Sequence, residues 1–267
     1  MNIPNNISPK IEAVLMRVQE KLNTNQEKQN TEHIQMKNSK ILESYNCTIC
    51  KDSGLELVNG RYRKCKCQIE ADTLRELRKT GLSDLAMDKS FSNFEAWNDD
   101  IKEMKNVATN YFLEFDKIKN SDSNSLALLG ESGTGKTHLL LALMKNFIIR
   151  KRLDVSYMSF VDGISLLKQN VLNGEVYQKK MNRYKNADLL VVDDLFKGAY
   201  SESDIRIMLE IINHRYINKL PVMISSELGI EEITKIDKAL GGRIVERTRS
   251  FIYYMKNPKN NYRFKKI

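Results

Sequence analysis

Residues 125–144 read "SLALLGESGTGKTHLLLALM". An apolar run with the character of a buried strand leads into Gly130-x4-Gly135-Lys136-Thr137, and a Leu-rich helical pattern follows. That strand–loop–helix setting is what a phosphate-binding loop requires. Glycines let backbone N–H groups turn inward around phosphate oxygens, and the start of the helix adds a favourable dipole. The expected cradle is Gly130, Ser132, Gly133, Thr134, Gly135, Lys136, Thr137 and His138. Lys136 is expected to reach the β- and γ-phosphates of a nucleotide, and the Thr137 hydroxyl to ligate Mg²⁺. A Gly-rich turn with no ligand is the alternative.

A loop of this kind needs a sheet to stand on, and the sequence supplies one. Short apolar runs "SLALLG", "DVSYMSF", "DLLVVD", "PVMISSE" and "SFIYYM" alternate with stretches long enough for crossover helices. The pattern predicts an α/β fold with a parallel sheet flanked by helices. Ahead of it, Ile101, Met104, Ala108, Tyr111, Phe112 and Phe115 share one face of a helix signalled from Asn98. The run "DLLVVDDL" (188–195) ends in two acidic residues. The first, Asp193, is placed to help hold Mg²⁺, and the second, Asp194, to orient an attacking water. A helix cap explains one Asp here, but not two.

Lys and Arg number 43 against 34 acidic residues, a net charge of +9. Solubility alone accounts for such a balance, but the cations are bunched. They crowd "RYRKCK" (61–66), "VYQKKMNRYKN" (176–186) and the final "KNPKNNYRFKKI", which holds no anion. In the middle cluster Tyr177 and Tyr184 alternate with Lys179, Lys180, Arg183 and Lys185, suiting a phosphate backbone and unpaired bases. An anionic polymer is the expected partner. The longest apolar runs, such as "HLLLALM", fall far short of the ~20 residues that span a bilayer. "MNIPNNISPKIEAV" lacks the pattern of a secretory signal, so the expectation is a cytoplasmic protein with no membrane partner.

All four cysteines lie in "CTICKDSGLELVNGRYRKCKC", as Cys47-x2-Cys50-x14-Cys65-x-Cys67. Two close pairs across a hairpin-like stretch, with Gly60 near its turn, can set four thiolates around a structural Zn²⁺. Disulfides in a reducing compartment and unliganded thiols are the competing accounts. His33 and His138 are poor ligand candidates. Further upstream, Ser8-Pro9 starts a helix whose Ile11, Val14, Leu15, Val18 and Leu22 form an apolar stripe. Residues 23–40 are polar. A charged helical segment, "IEADTLRELRKTG", follows the cysteines and stops at Gly81.

"GESGTGKTHLL", "LLVVDDL", "ISSEL" and "GGRIVERTRSFIYYMKNPKNNYR", in this order and spacing, resemble the DnaC/DnaI/IstB group of AAA+ ATPases over roughly residues 85–267. The resemblance implies an AAA+ P-loop NTPase fold using ATP and Mg²⁺. Its nearest branch is the replicative helicase loaders of bacteria, phages and plasmids, where a Cys-rich segment also recurs. Three regions follow: 1–44, a helical segment and linker for helicase interaction; 45–84, the four-cysteine zinc module and a helix; and 85–267, the ATPase. Only 40 residues follow Glu227, too few for a separate C-terminal lid domain.

Residue roles also follow from the resemblance. Phe91 and Phe94 resemble the segment lining the adenine pocket, with core packing the alternative. Arg247 resembles the arginine finger that acts on a neighbouring subunit's nucleotide, with Arg243 beside it, and Arg263 resembles the sensor-2 arginine. Surface ion pairs are the alternative for these arginines. A homo-oligomer assembled on ATP or DNA is implied, as are a hexameric replicative helicase and single-stranded DNA as partners. Two positions depart from the pattern. Glu227 stands where a polar sensor-1 residue is common, after Ser225 and Ser226, and its carboxylate would repel a γ-phosphate unless a cation intervenes. Asp194 replaces the commoner Glu, which implies slow hydrolysis.

The leading expectation is an ATP-hydrolysing loader that places the replicative helicase on single-stranded DNA. A transposition helper that binds duplex DNA is the rival within the fold, and generally lacks the Cys module. A small-molecule kinase would need a substrate pocket and a lid, for which the sequence offers nothing. A zinc-stabilised DNA-binding module with a decayed ATP site conflicts with the intact lysine, threonine and aspartates.

Overall fold

The cysteine segment folds as the sequence suggests, around a short hairpin. Strand β1 (Leu55–Val58) pairs antiparallel with β2 (Arg61–Lys64), Leu55 opposite Lys64 and Val58 opposite Arg61. Gly60 takes φ +75° in the connection, a backbone that side chains resist. The structure, a computed structural model, describes residues 45–58, 60–68, 71, 75, 88–257 and 260–265. The helix expected within 1–44 lies outside the described residues, as does most of the charged segment 69–81.

Helix α1 (Asp99–Ile118) begins where its cap dictates: the Asn98 side chain accepts the Ile101 N–H at 2.9 Å. Its apolar stripe buries Ile101, Met104, Ala108, Tyr111 and Phe115. The chain then alternates strand and helix: β3 (Leu126–Gly130), α2 (Lys136–Asn146), β4 (Val155–Ser159), α3 (Phe160–Gln169), α4 (Gly174–Asn186), β5 (Leu189–Asp193), α5 (Glu202–Ile217), β6 (Val222–Ser226), α6 (Ile230–Ile236), α7 (Lys238–Thr248), β7 (Ile252–Met255) and the short α8 (Tyr262–Lys265). All five apolar runs become strands of one parallel sheet, in the order β4-β5-β6-β3-β7.

The sheet separates two apolar clusters, because successive strand residues point to opposite faces. Leu126 and Leu128 join α1 and α2 on one face, while Ala127 and Leu129 join α3, α4, α5 and α7 on the other. Strand β3 lies between β6 and β7, so the loop after it opens beside the carboxyl ends of its neighbours. Ligands of open α/β sheets collect at such a crevice.

One expectation fails at this level. In α4, Tyr184 is buried in the second cluster and Tyr177 packs half-buried against it, so these rings are not free to stack on bases. Arg183 pairs with Asp154 and donates to the Val155 carbonyl, and Lys185 pairs with Glu210. The segment 176–186 is a solvated outer helix face laid on the core. Among the described residues, no helix is long and apolar enough to cross a membrane.

Candidate functional site

The crevice beside β3 is a cleft of about 610 Å³, lined by phosphate-loop residues and by both aspartates of β5 and its exit. The loop is wound by glycines at positive φ: Gly130 (+103°), Gly133 (+72°) and Gly135 (+93°). At Gly130 a Cβ would stand 2.1 Å from the Met255 carbonyl oxygen, so close pairing of β3 with β7 demands glycine. Ser132, Gly133, Gly135, Lys136, Thr137 and His138 face the cleft. Thr134 is buried beneath it and donates to the Glu131 carbonyl at 3.1 Å. The Lys136 ammonium is buried at the base of the loop, donating to the Gly130 and Glu131 carbonyls at 2.6 and 2.7 Å. Burial lowers its proton affinity, against the pull of Asp194, Glu227 and Asp193.

The other wall is carboxylate. Asp193 Oδ1 accepts the Thr137 hydroxyl at 2.9 Å and the Ser225 hydroxyl at 2.5 Å, and Oδ2 accepts the Tyr157 hydroxyl at 2.9 Å. Its three donors are neutral, and burial first of all pushes its proton affinity up. A buried carboxylate with neutral partners fits a divalent cation, which would restore its charge balance. Thr137 and Asp193 would hold Mg²⁺, whose chemistry there is to neutralise charge on bound phosphate. Asp194 follows with φ +57°, a conformation rare for a side-chain-bearing residue. The Ser225 hydroxyl accepts its N–H at 2.8 Å, and its carboxylate pairs with Lys197 at 2.7 Å.

The remaining expected residues divide. Phe94 is buried with its ring against Gly135 and edge-on to His138, at the cleft wall. Phe91 packs on the first apolar cluster and does not line the cleft. His138 Nε2–H donates to the Ser90 carbonyl at 2.8 Å, tying the 88–94 segment to α2. Arg263 lines the cleft from α8. Glu227 lines it too, while Ser225 is buried behind the aspartates and Ser226 bonds the Leu195 carbonyl at 2.7 Å. Sequence reasoning missed Lys197, Trp97 and Tyr262, which line this cleft, and Tyr157, which bonds Asp193. None carries a periodic or motif signal.

Arg247 requires a correction. Its guanidinium is turned inward, donating to the carbonyls of Ser121 and Tyr216 and lying 4.7 Å from the Tyr216 ring centre. Arg247 is only 8% exposed. A finger must reach out to another subunit, and this side chain is an internal brace instead. Arg243 flanks the same ring at 5.5 Å and donates to the Ala239 carbonyl of its own helix.

In the cysteine segment the four Sγ atoms lie within 4.8 Å of one another. Cys50 and Cys67 are 3.3 Å apart, Cys47 and Cys65 3.8 Å, and none is disulfide-bonded. Tetrahedral thiolates at the usual zinc–sulfur distance stand about 3.8 Å apart, so the cluster fits zinc. The turn that presents Cys47 and Cys50 is held by Asp52, which accepts the Cys47 N–H at 2.9 Å. Backbone N–H groups of Cys50 and Ile49 lower the Cys47 thiol to about 7, while the neighbouring Cys50 sulfur and burial push Cys67 up, so without a cation the cluster favours one thiolate and not four.

Comparison with known proteins agrees with this geometry. The sequence profile of a family described as "IstB-like ATP binding protein" matches residues 66–266. The phage-like element PBSX protein XkdC of Bacillus subtilis is 35% identical over 223 residues, covering 79% of this chain and 83% of that one. The replicative helicase loader DnaC of Escherichia coli is 28% identical over 176 residues, covering 66% and 69%. A crystal structure of the DnaC helicase loader superposes with a TM-score of 0.54 at 20% identity, over 65% of this chain and 100% of that one. The sheet, loop and paired aspartates are thus an AAA+-type P-loop arrangement. Because the family match takes in every residue placed around the cleft, the chain belongs to the IstB-like ATP-binding proteins.

Proposed function

We propose that the chain is an ATP-hydrolysing loader that delivers a hexameric replicative helicase onto single-stranded DNA. One contact carries the nucleotide part: the Thr137 hydroxyl donates to Asp193 at 2.9 Å, joining the phosphate loop to the end of β5. The two magnesium-holding groups therefore stand together, with Asp194 on the same cleft as the base that orients water. Lys136 and the loop amides bind the phosphates, and Arg263 closes over them from α8. The cysteine hairpin, with zinc, and the residues before it bind the helicase. Support for the loader role comes from the likeness to DnaC and from the four-cysteine cluster. Hydrolysis is slow and stimulated by DNA or the helicase, and the protein assembles on ATP or DNA.

The family described as IstB-like ATP-binding proteins leaves room for a second reading, the transposition helper acting on duplex DNA. One set of assays separates them. ATP turnover by the native protein rises with single-stranded DNA and disappears in K136A, and a pull-down from the host recovers the hexameric helicase. Duplex-stimulated turnover with no helicase recovered would replace the first reading by the second.

A further inference from the structure

Lys197 sits in no motif, yet the backbone is bent to bring it back into the cleft. Asp194 (+57°), Phe196 (+58°) and Gly198 (+75°) all take positive φ, so alternate residues leaving β5 are left-handed. Strain of this kind persists only where surrounding structure over-determines it. Here Leu195 and Phe196 are buried, and Phe196 packs edge-on to Phe160. The Leu195 N–H donates to the Ser225 carbonyl at 2.8 Å, and the Lys197 N–H to the Asp194 carbonyl at 3.0 Å. This fixed turn aims the Lys197 ammonium at two carboxylates, Asp194 at 2.7 Å and Glu227 at 3.5 Å. All three line the cleft with Lys136 and Thr137. The bond to Asp194, followed by the nearby Glu227, keeps the ammonium firmly protonated.

Charge explains why a cation is needed there. Lys136 answers the phosphates, and Asp193 answers a metal ion. Lys89, Glu95 and Arg263 also line the cleft, but Asp194 and Glu227 are the two carboxylates that share one cation, and they add negative charge where a triphosphate carries its own. Their partner is Lys197.

We propose that Lys197 is the positioning residue of the γ-phosphate end of the cleft, neutralising Asp194 and Glu227 together so that a triphosphate can enter beside them and Asp194 is held in one orientation. The proposal rests on the cleft being an ATP site. It makes the effect of Lys197 larger for a triphosphate than for a diphosphate, and dependent on Glu227.

Calorimetric titration with magnesium AMP-PNP and magnesium ADP tests it, using the full chain. K197M is expected to weaken AMP-PNP binding about 20-fold and ADP binding less than about 3-fold, as two uncompensated carboxylates act mainly on the terminal phosphate. K197M/E227Q is expected to recover AMP-PNP affinity to within about 3-fold of native. Turnover at saturating ATP falls about 10-fold in K197M and returns in K197R, which keeps the charge. A K197M protein that binds both nucleotides like the native one overturns the proposal. So does a loss of both alike that E227Q leaves unrepaired, because that is a folding defect. Native protein that takes up neither nucleotide removes the ATP-site reading, and this inference with it. Native uptake with unaltered K197M removes this inference alone.

Discussion

Arg247 shows how far a single side chain's role depends on the face it occupies. Its guanidinium donates to the Ser121 and Tyr216 carbonyls, covers the Tyr216 ring and stands 3.8 Å from Asp122. Charge-assisted hydrogen bonds to buried acceptors contribute about 1.5–3 kcal/mol, and a desolvated cation–π contact about 1–2. Arg247→Ala should therefore destabilise the fold by about 2–4 kcal/mol, lowering the midpoint of thermal unfolding by about 5–12 °C. Well below that midpoint, its ATP turnover should stay within about 3-fold of native. A true finger would cost a thousandfold or more, so an unchanged melting curve with turnover that low would reinstate it. The sequence could not make this distinction. Arg243 and Arg247 are four residues apart on one helix face, but only the fold puts Tyr216 under that face. Lys197 escaped notice for a related reason, since its position follows from left-handed residues that no spacing announces. The loop and paired aspartates were readable because their chemistry is local: glycine where φ is positive, carboxylates where a buried strand ends.

Elements were more legible than side-chain roles. The runs that form β3, β5 and β6 are buried at every residue, as strands covered on both faces must be, while β4 and β7, at the two edges of the sheet, are only partly covered. Tyr177 and Tyr184 misled for a complementary reason: seven residues apart on a helix, they fall on the face that packs inward. Among the described residues, the cysteine hairpin draws little support from the apolar core. Its strands are four residues each, β2 is exposed throughout, and none of its residues belongs to either apolar cluster. A two-stranded hairpin is marginal on its own, so metal binding would supply its folding free energy. The purified protein should carry one zinc ion per chain. Chelation should expose all four cysteines to a thiol reagent while moving the main unfolding transition by less than about 2 °C. Thiols that react fully before chelation, in protein without zinc, would refute the zinc site.

At the scale of the molecule, the start of α1 and the tail after β7 meet at the phosphate loop. The buried Asn260 donates to Asp100 at 2.8 Å and accepts from Asn98 at 2.5 Å, binding the tail to the start of α1. Two residues on, the Tyr262 N–H donates to the Gly133 carbonyl at 2.9 Å, and the Asn261 side chain fills the space a Cβ on Gly133 would need. Tyr262 also packs on Trp97, the chain's single tryptophan, with ring centres 5.2 Å apart, and both line the cleft. The basic tail that reads in sequence as a polymer-binding arm thus steadies the phosphate loop. A chain ending at Lys256 should keep its main thermal transition, since the two apolar clusters lie before that point. It should bind magnesium ATP about 10-fold more weakly or worse, because it loses Arg263 from the cleft together with the Tyr262 tie to Gly133. Trp97 gives an internal readout: its emission should shift red in the shortened chain and respond less to ATP. Native affinity in the shortened chain, with Trp97 emission unchanged, would show that the loop holds its shape without the tail.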